Sequence, residues 1–205
     1  AIDGTSGTIY VASSLAELVT KLGTDGTKDV NFTFDDTDYD GSINALAVDA
    51  NGKLLAGQGP GTSGITARIA RFNDDGSLDN TFTHADFSGK FPNDNSLSSS
   101  TSVNDILVDG DGKILVAGNF TSFGAVAEGF IRLNADGSID DTFDLNYLQE
   151  VIDSEKFAIA QQSDGKYLVS GLGTETSGGT TVERFNADGT ADDANFSALS
   201  ACCGF

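Results

Sequence analysis

The sequence is poor in the side chains that carry most enzyme chemistry. Its 205 residues include one His, no Met, no Trp, two Pro and two Cys. The lone His84 leaves no His-rich metal site and little for His-based acid–base catalysis. Cys202 and Cys203 are neighbours, and a bridge between neighbours is strained, so they form no disulfide framework. Two small buried residues and an intermolecular bridge are both open readings of that pair. Positive charge is also scarce, with 11 Lys+Arg against 31 Asp+Glu and a net charge of -20. Nucleic-acid binders and anionic membrane surfaces need basic patches, so neither is an expected partner. No apolar run approaches the roughly 20 residues of a spanning helix. Nucleophile elbows, phosphate loops and His-Glu-x-x-His motifs are absent from the sequence. These absences give the expectation that the chain is not an enzyme. Ala1 is compatible with removal of an initiator Met or of a leader, and the sequence favours neither.

What is abundant is Gly, Asp and Phe, and they are ordered. Four segments align: LGTDGTKDVNF (22–32), FNDDGSLDNTF (72–82), LNADGSIDDTF (133–143) and FNADGTADDANF (185–196). Their turn glycines, Gly26, Gly76, Gly137 and Gly189, are 50, 61 and 52 residues apart. Arg71, Arg132 and Arg184 precede the last three segments, and Lys21 fills that slot in the first. Each segment closes on a Phe: Phe32, Phe82, Phe143 and Phe196. A second motif interleaves, as ALAVDANGKLLAG (45–57), DILVDGDGKILVAG (105–118) and AIAQQSDGKYLVSG (158–171). A degenerate copy, AIDGTSGTIYVAS (1–13), opens the chain. The copies span about 1–32, 43–82, 103–143 and 156–196, followed by a tail at 197–205, and are expected to form one repeat domain over 1–205.

Each full copy reads as strands joined by N-G or D-G turns, the strongest short-range hairpin signal. A first strand covers Ile43–Val48, Val103–Val108 and Phe157–Ala160. A second covers Leu54–Ala56, Ile114–Ala117 and Tyr167–Ser170. A third covers Thr66–Phe72, Glu128–Leu133 and Thr181–Phe185. The segment ending in Phe supplies a short fourth strand, which makes each copy the size of a propeller blade. Ser14–Leu22 carries a capping-box pattern, but the repeat alignment places Leu18–Leu22 as a third strand.

The pattern R-[FL]-N-x-D-G-[ST]-x-D-x-x-F, with x-D-G-K-[IY]-L-V-x-G, resembles the delta-60 repeat β-propellers of bacterial surface or secreted proteins and phage structural proteins. The resemblance covers nearly the whole chain. It implies an all-β, propeller-like fold of about four blades, three full and one incomplete at the N-terminus. It also implies a scaffold with no shared catalytic site. The chain departs from the pattern in its first copy, where Ser6-Gly7-Thr8 replaces D-G-K.

A blade needs neighbours on both faces. Two closures are open: the tail Ser197–Phe205 completes the first blade, or another chain does so by strand addition. The expected function is a structural protein of an extracellular assembly, most concretely a virion head-decoration or tail component. Its partners would be copies of itself or neighbouring virion or surface subunits. The alternative is a secreted or surface-bound module that binds glycan or protein, stabilised by Ca²⁺.

Candidate cation ligands lie in the turn loops: Asn73, Asp75 and Asp79; Asn134, Asp136 and Asp140; Asn186, Asp188 and Asp192. Oxygens at alternate positions suit a hard cation. The same residues also make Asx turns around a glycine. No other cofactor is expected. Lys53, Lys113, Lys166 and the three arginines are expected to pair with Asp79, Asp140 and Asp192. The longest insertion, 82–101, holds His84, Phe87, Phe91 and Pro92 and marks a candidate binding loop.

Overall fold

The computed structural model describes residues 1–13, 17–37, 39, 41–61, 66–83, 85–88, 101–121, 128–144, 157–172, 181–192, 194–196 and 199–200. They form thirteen strands in four antiparallel sheets, one per sequence repeat. Blade 1 is the pair β1 (Ile9–Ala12) and β2 (Val19–Leu22). Blade 2 runs β3 (Gly41–Val48), β4 (Leu54–Gly61), β5 (Thr66–Phe72) and β6 (Ala85–Ser88). Blade 3 has β7 (Ser102–Val108), β8 (Ile114–Thr121) and β9 (Glu128–Leu133). Blade 4 has β10 (Ala158–Gln161), β11 (Tyr167–Leu172), β12 (Thr181–Phe185) and β13 (Leu199–Ser200). Val19–Leu22 is a strand, as the repeat alignment requires.

Two expectations are corrected. The segment ending in Phe is not the fourth strand. After the D-G turn it makes one isolated bridge to the strand it leaves, as in Phe72–Leu78, Leu133–Ile139 and Phe185–Ala191. The fourth strands, β6 and β13, come after the Phe. The tail is the second case. Leu199 and Ser200 pair with Val182 and Thr181 of their own blade, so these residues do not reach blade 1.

Blade 1 keeps a remnant of its first strand. Ile2 bridges Ile9, and the amide of Tyr10 donates to the carbonyl of Ala1 at 2.9 Å.

Strand alternation sends successive side chains to opposite faces of a blade. Leu54 and Ala56 pack towards blade 1, with Tyr10, Val19, Phe32 and Phe72. Leu55 and Ile69 pack towards blade 3, with Phe82, Val103 and Ile114. Leu115, Ala117 and Phe130 pack towards blade 4, with Phe143, Tyr167 and Phe185. The core is therefore three apolar seams, one between each pair of successive blades. Burying a Leu or Phe side chain contributes about 1.5–3 kcal/mol. A buried ion pair comes near to breaking even against its desolvation. The seams therefore hold the blades together, while the charged groups fix their geometry.

Candidate functional site

Each full repeat builds one charge cluster from its two turn motifs. In blade 2, one carboxylate oxygen of Asp79 accepts Lys53 Nζ at 2.6 Å and Arg71 Nε at 2.8 Å. Its other oxygen accepts the amide and hydroxyl of Thr81. In blade 3, Asp140 pairs with Lys113 at 3.0 Å and Arg132 at 2.8 Å, and also holds Thr142. In blade 4, Asp192 pairs with Lys166 at 2.5 Å and Arg184 at 2.8 Å. The expected Lys/Arg pairing with these carboxylates is what the structure shows. Burial pushes Asp79 and Asp140 upward, but hydrogen bonds from Lys53, Thr81 and Arg71, and from Thr142 and Lys113, outweigh it. Both carboxyls are held well below the usual range. Asp192 is lowered to about 2 by hydrogen bonds from Asn195 and Lys166.

The remaining candidate cation ligands serve the turns. Asp75, Asp136 and Asp188 each accept the amide and hydroxyl of the residue two positions on, Ser77, Ser138 and Thr190. Those hydroxyl bonds lower all three carboxyls. Asn73, Asn134 and Asn186 donate to the same hydroxyls. The oxygens of Asn73 and Asn134 accept from Lys53 and Lys113. Within each loop the turn Asp caps its own turn, while Asp79, Asp140 or Asp192 is buried and paired with an arginine. No group of three or more His, Cys, Asp or Glu able to hold a metal occurs among the described residues. His84, Cys202 and Cys203 lie outside those residues.

The arginines also link blades. Arg71 stacks on Phe82 at 4.9 Å and donates Nη1 to the carbonyl of Ala135 in blade 3 at 2.8 Å. Arg132 stacks on Phe143 at 4.3 Å and donates to Ala187 of blade 4 at 2.5 Å. Lys21 donates to the carbonyl of Asp74 in blade 2 at 3.0 Å. The residue after each Phe adds a backbone bond into the same D-G turn: Thr33 to Asp75, Thr83 to Asp136 and Asp144 to Asp188. The receiving glycines have no room for a side chain. A Cβ on Gly189 would lie 2.7 Å from the Asp144 carbonyl, and Gly76 and Gly137 are tighter still. Asp105 and Asp109 join blades 3 and 4 as well, accepting from the Ile159 amide and from the Tyr167 hydroxyl, each at 2.7 Å. Burial, then the bond to Asp109, pushes Tyr167 up to about 12.

The two ends of this array are open among the described residues. Arg184 stacks on Phe196 at 4.8 Å and turns its guanidinium to Asn195 of its own blade at 2.9 Å. At the other end, a Cβ on Gly26 would meet nothing within 4 Å. Among the described residues no core cluster joins blade 4 to blade 1. Blade 1 also has a shallow cavity of about 330 Å³ lined by Thr8, Lys21, Gly23 and Asp29. Thr8 stands there where the full repeats have Lys53, Lys113 and Lys166.

Three segments of the chain, 50–82, 110–143 and 162–194, match the model of a β-propeller domain of unknown function, DUF5122. No curated protein matches the chain. Among solved structures, a gluconolactonase from Xanthomonas campestris, described as important in glucose secondary metabolic pathways, aligns at 21% identity with a TM-score of 0.53. That alignment covers 95% of this chain and 58% of the gluconolactonase. A protein of unknown function from Bacteroides caccae aligns at 14% identity and TM-score 0.49, over 89% of this chain and 54% of its own. The sheets and the segment match agree on a β-propeller repeat architecture. The expectation that the chain is not an enzyme is corrected here, because the fold it shares is one that an enzyme uses. Missing motifs cannot exclude activity on such a scaffold.

Proposed function

We propose that the chain is a structural and interaction protein of an extracellular assembly, most concretely a phage virion component such as a head-decoration or tail protein. The observation that carries this reading is a regular array of blades tied one to the next by recurring cation-to-carbonyl links, an arrangement that suits a scaffold. The turn motifs support the narrower assignment to the delta-60 repeat type, whose members include phage structural proteins. Mass spectrometry and electron microscopy of purified native particles provide the test. The chain is expected in many copies at a fixed ratio to the capsid or tail proteins. Recovery in the secreted or cell-surface fraction instead would overturn the virion assignment in favour of a surface-bound module, and a glycan array would then be the next measurement. Because the gluconolactonase shares the fold, the purified chain should also be assayed on sugar lactones.

A further inference from the structure

We propose that the cavity in blade 1 is a binding site for a primary ammonium group on a short aliphatic stem, the chemistry of a lysine side chain or of a free alkylamine. The other three blades supply the template. In each, the same slot is filled by the blade's own lysine, whose ammonium reaches the buried aspartate: Lys53 on Asp79 at 2.6 Å, Lys113 on Asp140 at 3.0 Å and Lys166 on Asp192 at 2.5 Å. Lys53 and Lys113 also donate to Asn73 and Asn134. Blade 1 aligns Thr8 with the lysine and Gly23 with the asparagine, while Asp29 keeps the aspartate. Two side chains are cut back around a carboxylate that stays. The residues lining the cavity of about 330 Å³ are Thr8, Lys21, Leu22, Gly23, Thr27 and Asp29. They hold the slots of Lys53, Arg71, Phe72, Asn73, Ser77 and Asp79. The cavity is therefore the space that a lysine and an asparagine occupy in the full blades, and its size suits a small ligand.

The carboxylate in the cavity is short of partners. The side chain of Asp29 is 30% exposed, against 4%, 3% and 4% for Asp79, Asp140 and Asp192. Its ion pair with Lys21 is 3.4 Å long. An arginine reaches two ways at once: Arg71 gives Nε to Asp79 and Nη1 to Ala135 of the next blade. Lys21 has a single ammonium, and it is drawn to Asp74 of blade 2, at 2.6 Å to the carboxylate and 3.0 Å to the carbonyl. Lys28, also of blade 1, pairs with Glu17 at 2.6 Å. Asp29 is charged at neutral pH, its carboxyl held below the usual range first by the amide of Asn31. Blade 2 sets Lys53 and Arg71 against Asp79 and Asp49. Blade 1 sets Lys21 against Asp29, Asp74 and Asp3, the last in the Asp49 slot. An entering ammonium meets net negative charge, with the Asp29 carboxylate and the Thr8 and Thr27 hydroxyl oxygens placed to accept from it.

The slot does not depend on a preceding blade. Blades 2 and 3 each have one, and its links run to the D-G turn: Lys21 and Thr33 to Asp74 and Asp75, Arg71 and Thr83 to Ala135 and Asp136. The ammonium in the slot is the blade's own. The lysines that fill it are 32%, 32% and 25% exposed, so the slot opens to solvent and a ligand can enter.

The test is heteronuclear NMR of the labelled chain, titrated with butylammonium chloride at constant ionic strength. Tetramethylammonium chloride, a cation without N–H donors, and 1-butanol, a stem without charge, are the controls. Butylammonium is expected to give saturating amide shifts at Gly23, Thr27 and Asp29, with a dissociation constant of about millimolar order, the scale that so few ligand atoms support. The controls should give none. A second arm uses lysine blocked as its N-acetyl methylamide. Binding of that probe assigns the slot to a lysine of a polypeptide, and its failure beside bound butylammonium assigns the slot to free amines. Thr8→Lys, alone or with Gly23→Asn, restores the residues of a full blade and should abolish the shifts. Asp29→Asn should weaken binding by about tenfold or more. Since Asp29 also accepts the Asn31 amide, Thr8→Lys decides the matter if Asp29→Asn fails to fold. Shifts that rise linearly, or that the controls reproduce, overturn the site. So does saturable binding indifferent to Thr8→Lys. Neither result touches the virion assignment, which particle composition decides.

Discussion

The amide of Thr83 donates to the carbonyl of Asp136 at 2.6 Å, across the boundary between blades 2 and 3. That bond draws the preceding blade onto the D-G turn and leaves Gly137 no space. A Cβ there would also come within 2.8 Å of the Phe82 ring. Gly137 and Gly112 both have positive φ, 86° and 77°, yet only Gly137 is crowded. Gly112→Ala should therefore cost about 1–2 kcal/mol for the left-handed backbone alone. Gly137→Ala should cost about 1–3 kcal/mol more, from overpacking of backbone against backbone. Urea unfolding of the two variants measures the difference. Equal losses would mean that the seams give way easily.

The second prediction concerns Asp140. Its carboxylate is buried and shared by Arg132 and Lys113. Asp140→Ala strands the buried Arg132 and should cost about 3–5 kcal/mol. Lys113 is one-third exposed, so Lys113→Met removes a partner that water can replace and should cost about 1 kcal/mol or less. Chemical denaturation of both variants is the check. A larger loss for Lys113→Met than for Asp140→Ala would refute this ordering.

The strands and turns of this fold were legible in the sequence because glycine and aspartate mark every turn and apolar alternation marks each strand. Thr66–Phe72, Glu128–Leu133 and Thr181–Phe185 have the bounds read from the repeat. The outer strands were not legible. Ala85–Ser88 and Leu199–Ser200 share no pattern, because an edge strand is placed by the backbone of its neighbour and needs no particular side chain. The inter-blade links were half legible. The donors Lys21, Arg71 and Arg132 recur in one slot. Their acceptors are carbonyls of Asp74, Ala135 and Ala187, which any residue can supply.

The third prediction is calorimetric. The oxygens that would ligate Ca²⁺ already accept protein donors. Asp79 and Asp140 hold Lys, Arg and Thr, and Asp75, Asp136 and Asp188 close their own turns. A cation would have to displace ammonium and guanidinium groups from buried carboxylates. Titration of Ca²⁺ into chelator-treated protein is expected to give no binding heat and no change in melting temperature. A saturable heat that disappears on Asp136→Asn would assign these loops to the metal after all.

The fourth prediction is the pH dependence of stability. Asp79, Asp140 and Asp192 are all lowered on folding, Asp192 to about 2, and the turn carboxylates Asp75, Asp136 and Asp188 move the same way. An unfolded Asp titrates near about 3.9. A carboxyl lowered in the folded state favours folding fully above that value, and the contribution is lost as pH falls through the folded value. Asp105 runs opposite. Burial between blades 3 and 4 raises it, against the amide bonds from Ile159 and Ile106, so its contribution fades as pH rises through its folded value. Asp3, Glu17, Asp25 and Asp29 are lowered as well, so the lowered carboxyls outweigh the one raised and give a net loss on acidification. Urea midpoints should hold from pH 7 to about 5 and fall steeply between about 4 and 2. Repeating the series with Asp192→Asn should flatten the fall, since one of the linked protons is gone. Midpoints that stay level down to pH 2.5, or an unchanged slope in that variant, would show that the charge clusters do not carry the acid sensitivity.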